Sequence, residues 1–459
     1  MDKVCIIGAG PAGLVAGYQL ARSGFNVYIY ESTDSIGGMC KTIDLWGQRV
    51  DLGSHRFFSQ DKMVNNFWNK IINDDYIKIK RKSRILYRNK FFNYPLNPTE
   101  AFLKLGFIES LKCFCSLFIE KFRPMNDDSF ESWMSKRFGP RLYKTFFKDY
   151  SQKLWGISGK ELHSDFARQR IRKFSLIESI KSFYFKNINH RTLVDEFKFP
   201  TKGTGELYKK LANEITRNSG KIFLNSKVTK IEHTETGLIY VQTNQGQSDL
   251  FNTVISTMPL DSLIQIMEGV PDTPLLASRN LAFRNTIIVY LQIQNADLFQ
   301  DQWLYIQEAH VKTGRISNFR NWGSGLHENQ GTSILALEYW CNKGDEIWNS
   351  TDKDLIEMAK KDILLLKFEK EAHIGEGKVI RINKCYPVYR YNYKEVLEPI
   401  HNFFQEQNKI LPIGRAGSFK YNNQDHSILM GLLAAEKISK KKNVNLWDIN
   451  SDFDTYQED

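Results

Sequence analysis

The chain has 459 residues, of which 42% are hydrophobic and 25% are charged, and its formal net charge is +11. This composition is typical of a soluble globular protein with ample apolar material for a core. The basic residues are spread along the chain, which favours a solvated lysine-rich surface over a nucleic-acid site, although such a field would also help to steer a diphosphate substrate.

The six cysteines and the N-terminal residues narrow the class of protein further. No two cysteines form a CxxC pair, and Cys113 and Cys115 are not followed by histidines at metal-ligand spacing, so we expect reduced thiols and no metal site. The chain runs from Met1 into an apolar strand pattern without the features of a secretory signal, which predicts a cytoplasmic protein. Residues 103–122 are strongly apolar, but charged residues interrupt them, which predicts an amphipathic helix and no membrane span.

Hydrophobic periodicity predicts the elements in chain order. A strand at residues 3–7 ends at Gly8, a helix follows through Leu20, and a strand at residues 26–30 ends at Glu31, so the chain opens with one βαβ unit. Helical patterns dominate residues 101–182. Strand patterns return at residues 221–224, 228–233, 238–243, 253–257, 286–293, 333–339 and 409–413, and a late helix is expected over about 425–437.

The turn between the first strand and the first helix reads Gly-Ala-Gly-Pro-Ala-Gly. Gly8 permits the tight turn, Gly10 allows a pyrophosphate to approach the backbone, and Gly13 allows the helix to pack on the strand. The helix N-terminus then faces the phosphates, and Glu31, 18 residues beyond Gly13, can accept the ribose hydroxyls. Together these features predict a dinucleotide site, and the alternative is a glycine-rich turn in an unrelated α/β unit.

Further segments resemble the FAD-dependent amine oxidase and protoporphyrinogen oxidase superfamily. Residues 35–39 are similar to its Gly-Gly segment at the FAD diphosphate, residues 199–207 to its Pro-Lys-Gly-Gly-x-Gly segment, and residues 253–259 to its second nucleotide strand. The strand-turn at residues 410–415 offers main-chain N–H groups for a further cofactor contact, although an ordinary strand-to-helix turn would have the same spacing. The resemblance implies FAD and these cofactor-binding residues: Gly8, Gly10, Ala12, Gly13, Glu31, Gly37, Gly38, Met39, Val228, Gly414 and Arg415.

The nucleotide-binding segments lie at the start, middle and end of the chain. We therefore expect an α/β fold, with a discontinuous Rossmann-like FAD-binding domain, a helical insertion and a mixed α+β substrate domain. The expected boundaries are 1–80, 198–265 and 405–445 for the FAD-binding parts, 81–197 for the mainly helical insertion, 266–404 for the mixed domain and 446–459 for a polar tail.

Four segments resemble the UDP-galactopyranose mutase branch of that superfamily more closely. Residues 53–58 look like its Gly-x-His-x-Phe segment, and residues 91–97 resemble its apolar-x-Pro-Phe-Asn segment. Residues 146–156 are similar to its Phe-x-x-x-Tyr-Thr-x-Lys-Gln-Trp-Gly signature, and residues 414–425 to its Gly-Arg-x-x-x-Tyr-x-Tyr-x-x-x-Asp pattern. The resemblance spans most of the chain at low density and is weakest over residues 267–380.

Position by position, the resemblance implies three catalytic residues: His55 against the flavin, with Arg170 and Tyr421 at the substrate diphosphate. Arg170 matches only with a one-residue insertion, and it stands between Arg168 and Arg172, so one of the three could be a solvated charge. His55 could also be a satisfied core histidine.

The resemblance also implies a substrate-binding set. Phe146, Tyr150 and Trp155 would stack on uridine. The remaining members of the set are Asn97, Arg284 and Tyr389, and Asp425 joins the cofactor-binding residues. The three stacking aromatics lie near one helix face, so a helical core would explain them as well.

Several positions depart from the mutase pattern. Leu154 replaces a glutamine and Phe419 replaces a tyrosine, which leaves the identity of the sugar open. The segment at residues 386–389 looks more like the amine-oxidase side of the superfamily.

The sequence thus favours a flavoenzyme that interconverts pyranose and furanose forms of a nucleotide sugar through N5 of reduced FAD, with no nucleic-acid partner. A cofactor that carries the reaction requires no catalytic triad. An external flavin reductant and the oligomeric state are left open. The alternative is an FAD-dependent oxidoreductase of the amine oxidase, protoporphyrinogen oxidase or desaturase type, and a third reading, from the +11 charge and the helix at residues 103–122, is a membrane-surface or scaffold protein.

Overall fold

The computed structural model describes residues 2–94, 96, 98–125, 127–171, 196–328, 331–370, 373–440 and 442–450, and Asn97 therefore lies outside the described residues. Its strands, in chain order, are β1 (Lys3–Ile7), β2 (Asn26–Tyr30), β3 (Thr42–Leu45), β4 (Gln48–Asp51), β5 (Tyr76–Lys80), β6 (Ser83–Tyr87), β7 (Lys90–Asn93), β8 (Glu196–Pro200), β9 (Lys221–Phe223), β10 (Val228–His233), β11 (Ile239–Thr243), β12 (Ser248–Phe251), β13 (Thr253–Ser256), β14 (Phe283–Ile293), β15 (Trp303–Ile306), β16 (Arg315–Asn318), β17 (Ser333–Cys341), β18 (Ile374–Pro387) and β19 (Ile410–Pro412). Its helices, in chain order, are α1 (Pro11–Arg22), α2 (Lys62–Ile72), α3 (Pro98–Leu105), α4 (Phe107–Phe122), α5 (Phe130–Phe138), α6 (Pro140–Phe146), α7 (Lys148–Trp155), α8 (Asp165–Ile171), α9 (Gly205–Arg217), α10 (Leu260–Ile266), α11 (Asp272–Ser278), α12 (Ser324–His327), α13 (Glu346–Asn349), α14 (Asp352–Leu365), α15 (Tyr393–Glu406), α16 (Gly414–Gly417) and α17 (Gln424–Ser439).

A five-stranded parallel sheet is built from three separated parts of the chain, in the order β19-β13-β1-β2-β9. Its central strand β1 is buried over residues 4–7, as expected for a parallel strand covered on both faces. Helix α1 packs so closely on α17 that a Cβ on Gly431 would lie 2.5 Å from the carbonyl oxygen of Ala12. The predicted βαβ unit and the predicted α/β class are confirmed.

A seven-stranded mixed sheet forms the second layer, in the order β18-β14-β17-β16-β15-β6-β7. Strand β17 is buried at every position, because helix α14 and a separate apolar cluster cover its two faces. All neighbouring pairs are antiparallel except β15 and β6, which run parallel. Strands from both the predicted helical segment and the predicted mixed segment therefore share this sheet.

The β6–β7 hairpin was not foreseen as part of a sheet. Its two turn residues, Arg88 and Asn89, have φ values of 51° and 58°. Positive φ at both central residues is the geometry that two-residue hairpins favour, but it is usually signalled by Asn-Gly or Asp-Gly. The short strands and the uncommon turn residues explain why periodicity alone did not reveal this edge of the sheet.

Helices α3 to α8 follow the hairpin and pack beside the seven-stranded sheet. Ser129 caps α5, where its hydroxyl accepts the Ser132 N–H at 3.1 Å. Trp155, at the end of α7, and Phe166, in α8, are in edge contact with ring centroids 4.5 Å apart. Among the helices of the described residues, none has the length and the apolar character needed to cross a membrane.

Candidate active site

A cavity of about 540 Å³ lies at the carboxyl edge of the parallel sheet, where ligands bind in open α/β folds. The parallel-sheet side of its lining includes several predicted cofactor residues, namely Gly8, Gly10, Ala12, Glu31, Gly38, Met39, Val228, Gly414 and Arg415. The seven-stranded sheet contributes Trp303, Tyr305, Arg315, Ile382 and Tyr386. The cavity therefore joins the dinucleotide turn to a second, aromatic and cationic surface.

The first turn is shaped by three glycines with different roles. Gly8 has a φ of 99°, and a Cβ there would lie 2.1 Å from Oγ1 of Thr257. A Cβ on Gly13 would lie 2.1 Å from the carbonyl oxygen of Gly8. At Gly10, in contrast, the nearest atom to an added Cβ is the Gly38 Cα at 3.9 Å. Gly8 and Gly13 are thus needed by the fold, whereas Gly10 leaves open the space that a bound pyrophosphate would use.

Glu31 ends β2 at this edge and is buried. Its Oε2 accepts the Ala9 N–H at 2.8 Å, and its Oε1 accepts the Thr33 N–H at 2.9 Å. The carboxylate therefore has a fixed position beside the first turn, as a ribose acceptor in a dinucleotide site requires.

The loop at residues 37–39 closes over the first turn. The Gly37 N–H donates to the carbonyl oxygen of Ala9 at 2.8 Å, and a Cβ on Gly38 would lie 3.1 Å from the Gly10 Cα. Met39 continues towards the second sheet, where its sulfur lies 3.6 Å from the Cys385 sulfur. This loop thus connects the nucleotide turn with β18.

The late turn after β19 lies against the first turn. Gly414 has a φ of 79°, and a Cβ there would lie 3.3 Å from the Ala12 Cβ. Asp425 is buried in the first turn of α17, where a carboxylate interacts favourably with the helix N-terminus, but it is not part of the cavity lining. Val228, at the start of β10, is buried and does line the cavity.

An arginine of the late turn lies on two stacked phenol rings in the cavity wall. The rings of Tyr386 and Tyr421 are 5.3 Å apart and nearly parallel, at 11°. The Arg415 guanidinium carbon lies 5.2 Å and 5.0 Å from their centroids, and its Nε donates to the Asn422 carbonyl at 2.7 Å. Within the described residues, these partners of Arg415 include no carboxylate, so its positive charge remains available to an anion.

A second arginine in the cavity wall is neutralised. Arg315 forms a bidentate ion pair with Glu338, with distances of 2.8 Å from Nε to Oε1 and 2.6 Å from Nη2 to Oε2. Both residues are on adjacent strands, β16 and β17, which places the pair in the middle of the sheet. Such a pair contributes a rigid wall, because breaking it would leave a buried charge without a partner.

His55 lines the cavity between these groups. Burial, together with the positive charges of Arg415 and Arg315, lowers the pKa of His55 from 6.5 to about 3. The imidazole is therefore neutral at physiological pH, and its buried Nδ1 has no hydrogen-bond partner among the described residues. The His55 carbonyl accepts the Thr204 hydroxyl at 3.0 Å, so the backbone is fixed while the ring can still bind a ligand.

The predicted stacking aromatics lie behind the cavity surface. Phe146 is buried against Phe92, with ring centroids 5.2 Å apart, and belongs to the core. Tyr150 meets the lining residue Tyr305 edge-on at 5.7 Å. Trp155 supports Tyr421 edge-on at 5.7 Å, and its buried Nε1 has no hydrogen-bond partner in the part of the chain that the structure describes. In this conformation the three side chains shape the wall from behind and do not line the cavity themselves.

Arg284 and Tyr389, two of the remaining predicted residues, have structural contacts in this conformation. Arg284 is buried and donates from Nε to the Leu154 carbonyl at 3.1 Å, so it caps the end of α7. The Tyr389 hydroxyl accepts the Tyr421 N–H at 2.8 Å and thereby positions the ring of Tyr421. Arg170 lies in α8.

Sequence reasoning did not assign several lining residues. Trp303, Tyr305 and Arg315 belong to the region where motif resemblance was weakest, and a strand pattern at residues 303–306 was not identified. Tyr386 lay in a segment that the sequence did single out, without a role in the site. Trp303 has a buried Nε1 that finds no partner within the described ranges, which offers a further donor to a bound ligand.

Residues 11–363 match the sequence family described as flavin containing amine oxidoreductase. This match covers more than half of the chain, and the chain belongs to that family. It is accordingly a flavoenzyme, an isomerase or an oxidoreductase, with a flavin cofactor. The open space at Gly10, the fixed Glu31 carboxylate and the orphaned Nδ1 of His55 fit such a group.

Within the family, the chain resembles the mutase branch. It is 29% identical over 203 residues to the dTDP-fucopyranose mutase of Escherichia coli, covering 41% of this chain and 51% of that protein. It is 25% identical over 196 residues to a probable UDP-galactopyranose mutase of Klebsiella pneumoniae, covering 40% and 49%. The chain therefore spans about half the length of the curated relatives it matches.

A crystal structure of reduced UDP-galactopyranose mutase matches with a TM-score of 0.85 and 20% identity, covering 99% of this chain and 98% of that chain. This likeness establishes the fold and confirms the predicted class, a flavin-binding α/β protein of the amine oxidase superfamily with a mutase-like architecture. The contacts of individual residues with cofactor and substrate stay predictions.

Proposed function

We propose that the chain binds FAD and interconverts the pyranose and furanose forms of a nucleotide sugar. One observation carries this proposal: Arg415 lies on the stacked rings of Tyr386 and Tyr421 at the cavity, and among the described residues it has no carboxylate partner. A guanidinium offers a planar fork of donors that suits phosphate oxygens. Such a group beside aromatic faces is suited to a nucleoside diphosphate.

FAD is the form of flavin that this site favours. A dinucleotide needs a pyrophosphate turn and a ribose acceptor, and the Gly8 to Gly13 turn and Glu31 supply both. We assign the cofactor to segments 1–80, 198–265 and 405–445 and the substrate side to segments 81–197 and 266–404. Two residues of the last FAD-binding segment are exceptions, because we assign Tyr421 and also Arg415, which the resemblance implied at the cofactor, to the substrate side. The contact of Gly414 with Ala12 supports the assignment of the late segment.

The chemistry of the lining favours a polar substrate. Besides its arginines, the cavity wall carries Ser54, Ser262, Asn383 and Gln424, which can bond sugar and phosphate oxygens. A lipid-like substrate would form no hydrogen bonds with these groups, of which Ser54 and Gln424 are also held in place by protein partners, and it would gain nothing from the charge of Arg415. This argues against a desaturase-type reaction.

Reduced flavin supplies a nucleophilic nitrogen that can react at an anomeric carbon. In our proposal the protein's own contribution is to position the nucleotide sugar against the flavin. Arg415 binds the diphosphate and stabilises it as it departs from the sugar. His55 is neutral, so its Nδ1 can bond cofactor or sugar without adding a positive charge. Trp155 and Tyr389 keep Tyr421 in place, one by edge contact and one by accepting its N–H.

The second candidate is oxidation of an amine. Two parallel phenol rings, such as Tyr386 and Tyr421, attract a cation, which would suit a protonated amine. Arg415 already lies over both rings, however, and it would repel a second positive charge. We therefore favour the anionic substrate.

The test is an anaerobic incubation with UDP-galactopyranose and, separately, dTDP-fucopyranose, with and without dithionite, followed by chromatography of the nucleotide sugars. Interconversion that requires reduction would support the proposal. Bleaching of the flavin by amines, with no interconversion and no binding of UDP or dTDP, would refute it in favour of the oxidase.

The role of Arg415 is tested by Arg415→Gln. A hydrogen bond to a charged group contributes about 1.5–3 kcal/mol, so we expect nucleotide-sugar affinity to fall roughly tenfold or more. Arg279→Gln, at an exposed arginine, is the matched control and should leave affinity unchanged. Flavin content is measured in both variants, because loss of flavin in Arg415→Gln would instead place this arginine at the cofactor.

A further inference from the structure

Helix α4 presents apolar side chains to the outside of the protein. Of the fifteen large hydrophobic side chains that are exposed in the described part of the chain, nine lie between Leu103 and Met125. Seven of these are on α4 and form what we call the apolar stripe: Phe107, Ile108, Leu111, Phe114, Phe118, Ile119 and Phe122. Their exposure ranges from 50% to 76%, so they form one contiguous patch of a kind that marks an interaction site.

Charged residues border the stripe on both sides. At about 100° per residue, the seven side chains occupy an arc of roughly 140° around the helix. Lys121 lies at one edge of this arc and Lys112 at the other, and both are exposed. An outward apolar face with a lysine at each edge is the pattern of a helix that lies at a membrane interface, because lysine stems cover apolar surface while the ammonium groups reach the headgroups.

The opposite face of α4 fixes this orientation. Leu117 is buried against Gly139, where an added Cβ would lie 2.9 Å from the Leu117 nitrogen. Glu109 forms a bidentate ion pair with Arg141, at 2.6 Å and 2.8 Å. Glu120 is only 17% exposed. The acids of the helix thus point towards the protein, and the exposed charges on α4 are lysines.

We propose that α4 docks, lying flat, on a membrane surface with anionic headgroups. The charges favour a membrane over a second copy of the chain as the partner of the stripe. A two-fold contact between two copies would place Lys112 and Lys121 of both at the edge of one interface, where α4 has no exposed acids to pair with them. The helix does not cross the bilayer, because its 16 residues span only about 24 Å and it carries charges. The net charge of +11 adds long-range attraction.

The test is flotation of the flavin-loaded full chain with vesicles of phosphatidylcholine alone or with about one third phosphatidylglycerol, at low and high salt. We expect binding to the anionic vesicles at low salt, and weaker binding at high salt or without anionic lipid. F114S/F118S removes two exposed rings, and we expect it to lower vesicle binding at least tenfold. L250S/L276S, at two exposed leucines elsewhere, is the matched control and should bind like the wild type.

A second pair of variants tests whether the lysines of α4 cause the preference for anionic vesicles. K112E/K121E should remove the preference for anionic vesicles, whereas K353E/K361E, with the same change of charge at exposed lysines of α14, should retain most of it. Flavin absorbance and far-UV circular dichroism confirm that each variant is folded. Absence of binding to anionic vesicles at low salt, or equal loss in both lysine pairs, would overturn the proposal. A wild-type dimer that F114S/F118S dissociates, without vesicle binding, would assign the stripe to a second copy and would also overturn it.

Discussion

Gly10→Ala separates the role of the first turn in folding from its role in cofactor binding. Gly10 has φ −81° and ψ −175°, which any residue can adopt. The nearest atom to an added Cβ is 3.9 Å away. Alanine should therefore change the free energy of unfolding of the apoprotein by no more than about 1 kcal/mol, because restriction of the unfolded chain is offset by the loss of glycine at the N-cap of α1.

The same Cβ occupies the space where the turn would meet a pyrophosphate. A hydrogen bond from a backbone N–H to a charged group contributes about 1.5–3 kcal/mol, and losing one lowers affinity by roughly 10- to 150-fold. We expect the Kd of FAD for Gly10→Ala to rise by that factor, measured by quenching of flavin fluorescence on titration of the apoprotein.

Two further glycine variants serve as references for the effects of Gly10→Ala on stability and on FAD affinity. Gly344→Ala, where no atom lies within 4 Å of the added Cβ, should change stability by no more than about 1 kcal/mol, through the unfolded chain, and should leave FAD affinity unchanged. Gly13→Ala should destabilise the apoprotein itself in urea, because its Cβ would meet the Gly8 carbonyl oxygen at 2.1 Å. If Gly10→Ala bound FAD as tightly as the wild type, or if its apoprotein lost more than about 1 kcal/mol of stability, our account of this turn would be wrong.

Three other predictions concern the substrate side. Arg284→Gln should lower the free energy of unfolding by about 1–3 kcal/mol, since it removes the donor to the Leu154 carbonyl, and a large rise in KM without loss of stability would contradict this. Tyr389→Phe leaves the Tyr421 N–H without its acceptor and should cost about 1–3 kcal/mol in urea unfolding, with a weaker affinity for nucleotide sugar; unchanged stability and affinity would count against the positioning role. The lowered pKa of His55, about 3 against 6.5 when unfolded, means that the unfolded chain binds the extra proton, so stability falls as pH drops from 6.5 towards 3. His55→Gln should make the free energy of unfolding of the apoprotein less dependent on pH, by up to about 1 kcal/mol per pH unit between pH 7 and 5. If the free energy of unfolding changed with pH in the same way in both proteins, the lowered pKa of His55 would be refuted.

Local sequence was sufficient to predict those parts of the site whose residues are close together along the chain. The first strand, the turn, the first helix and Glu31 lie within the first 31 residues, and their geometry follows from backbone conformation and short-range packing. The same holds for the turn that begins at Gly414, where a strand ends and a short helix begins. These segments predicted the dinucleotide site, and the motif resemblances extended that prediction to the mutase branch.

Tertiary structure decided which side chains reach the cavity. The aromatic residues of α6 and α7 have the same pattern whether they face a ligand or a core, and packing placed Phe146 against Phe92 and Trp155 behind Tyr421. Arg315 enters the wall only because β15, β16 and β17 pair within one sheet, far in sequence from the first turn. Sequence thus determined the dinucleotide turn, whose contacts are local, whereas the cavity wall opposite it, which we propose binds substrate, depends on long-range strand pairing that no short motif encodes.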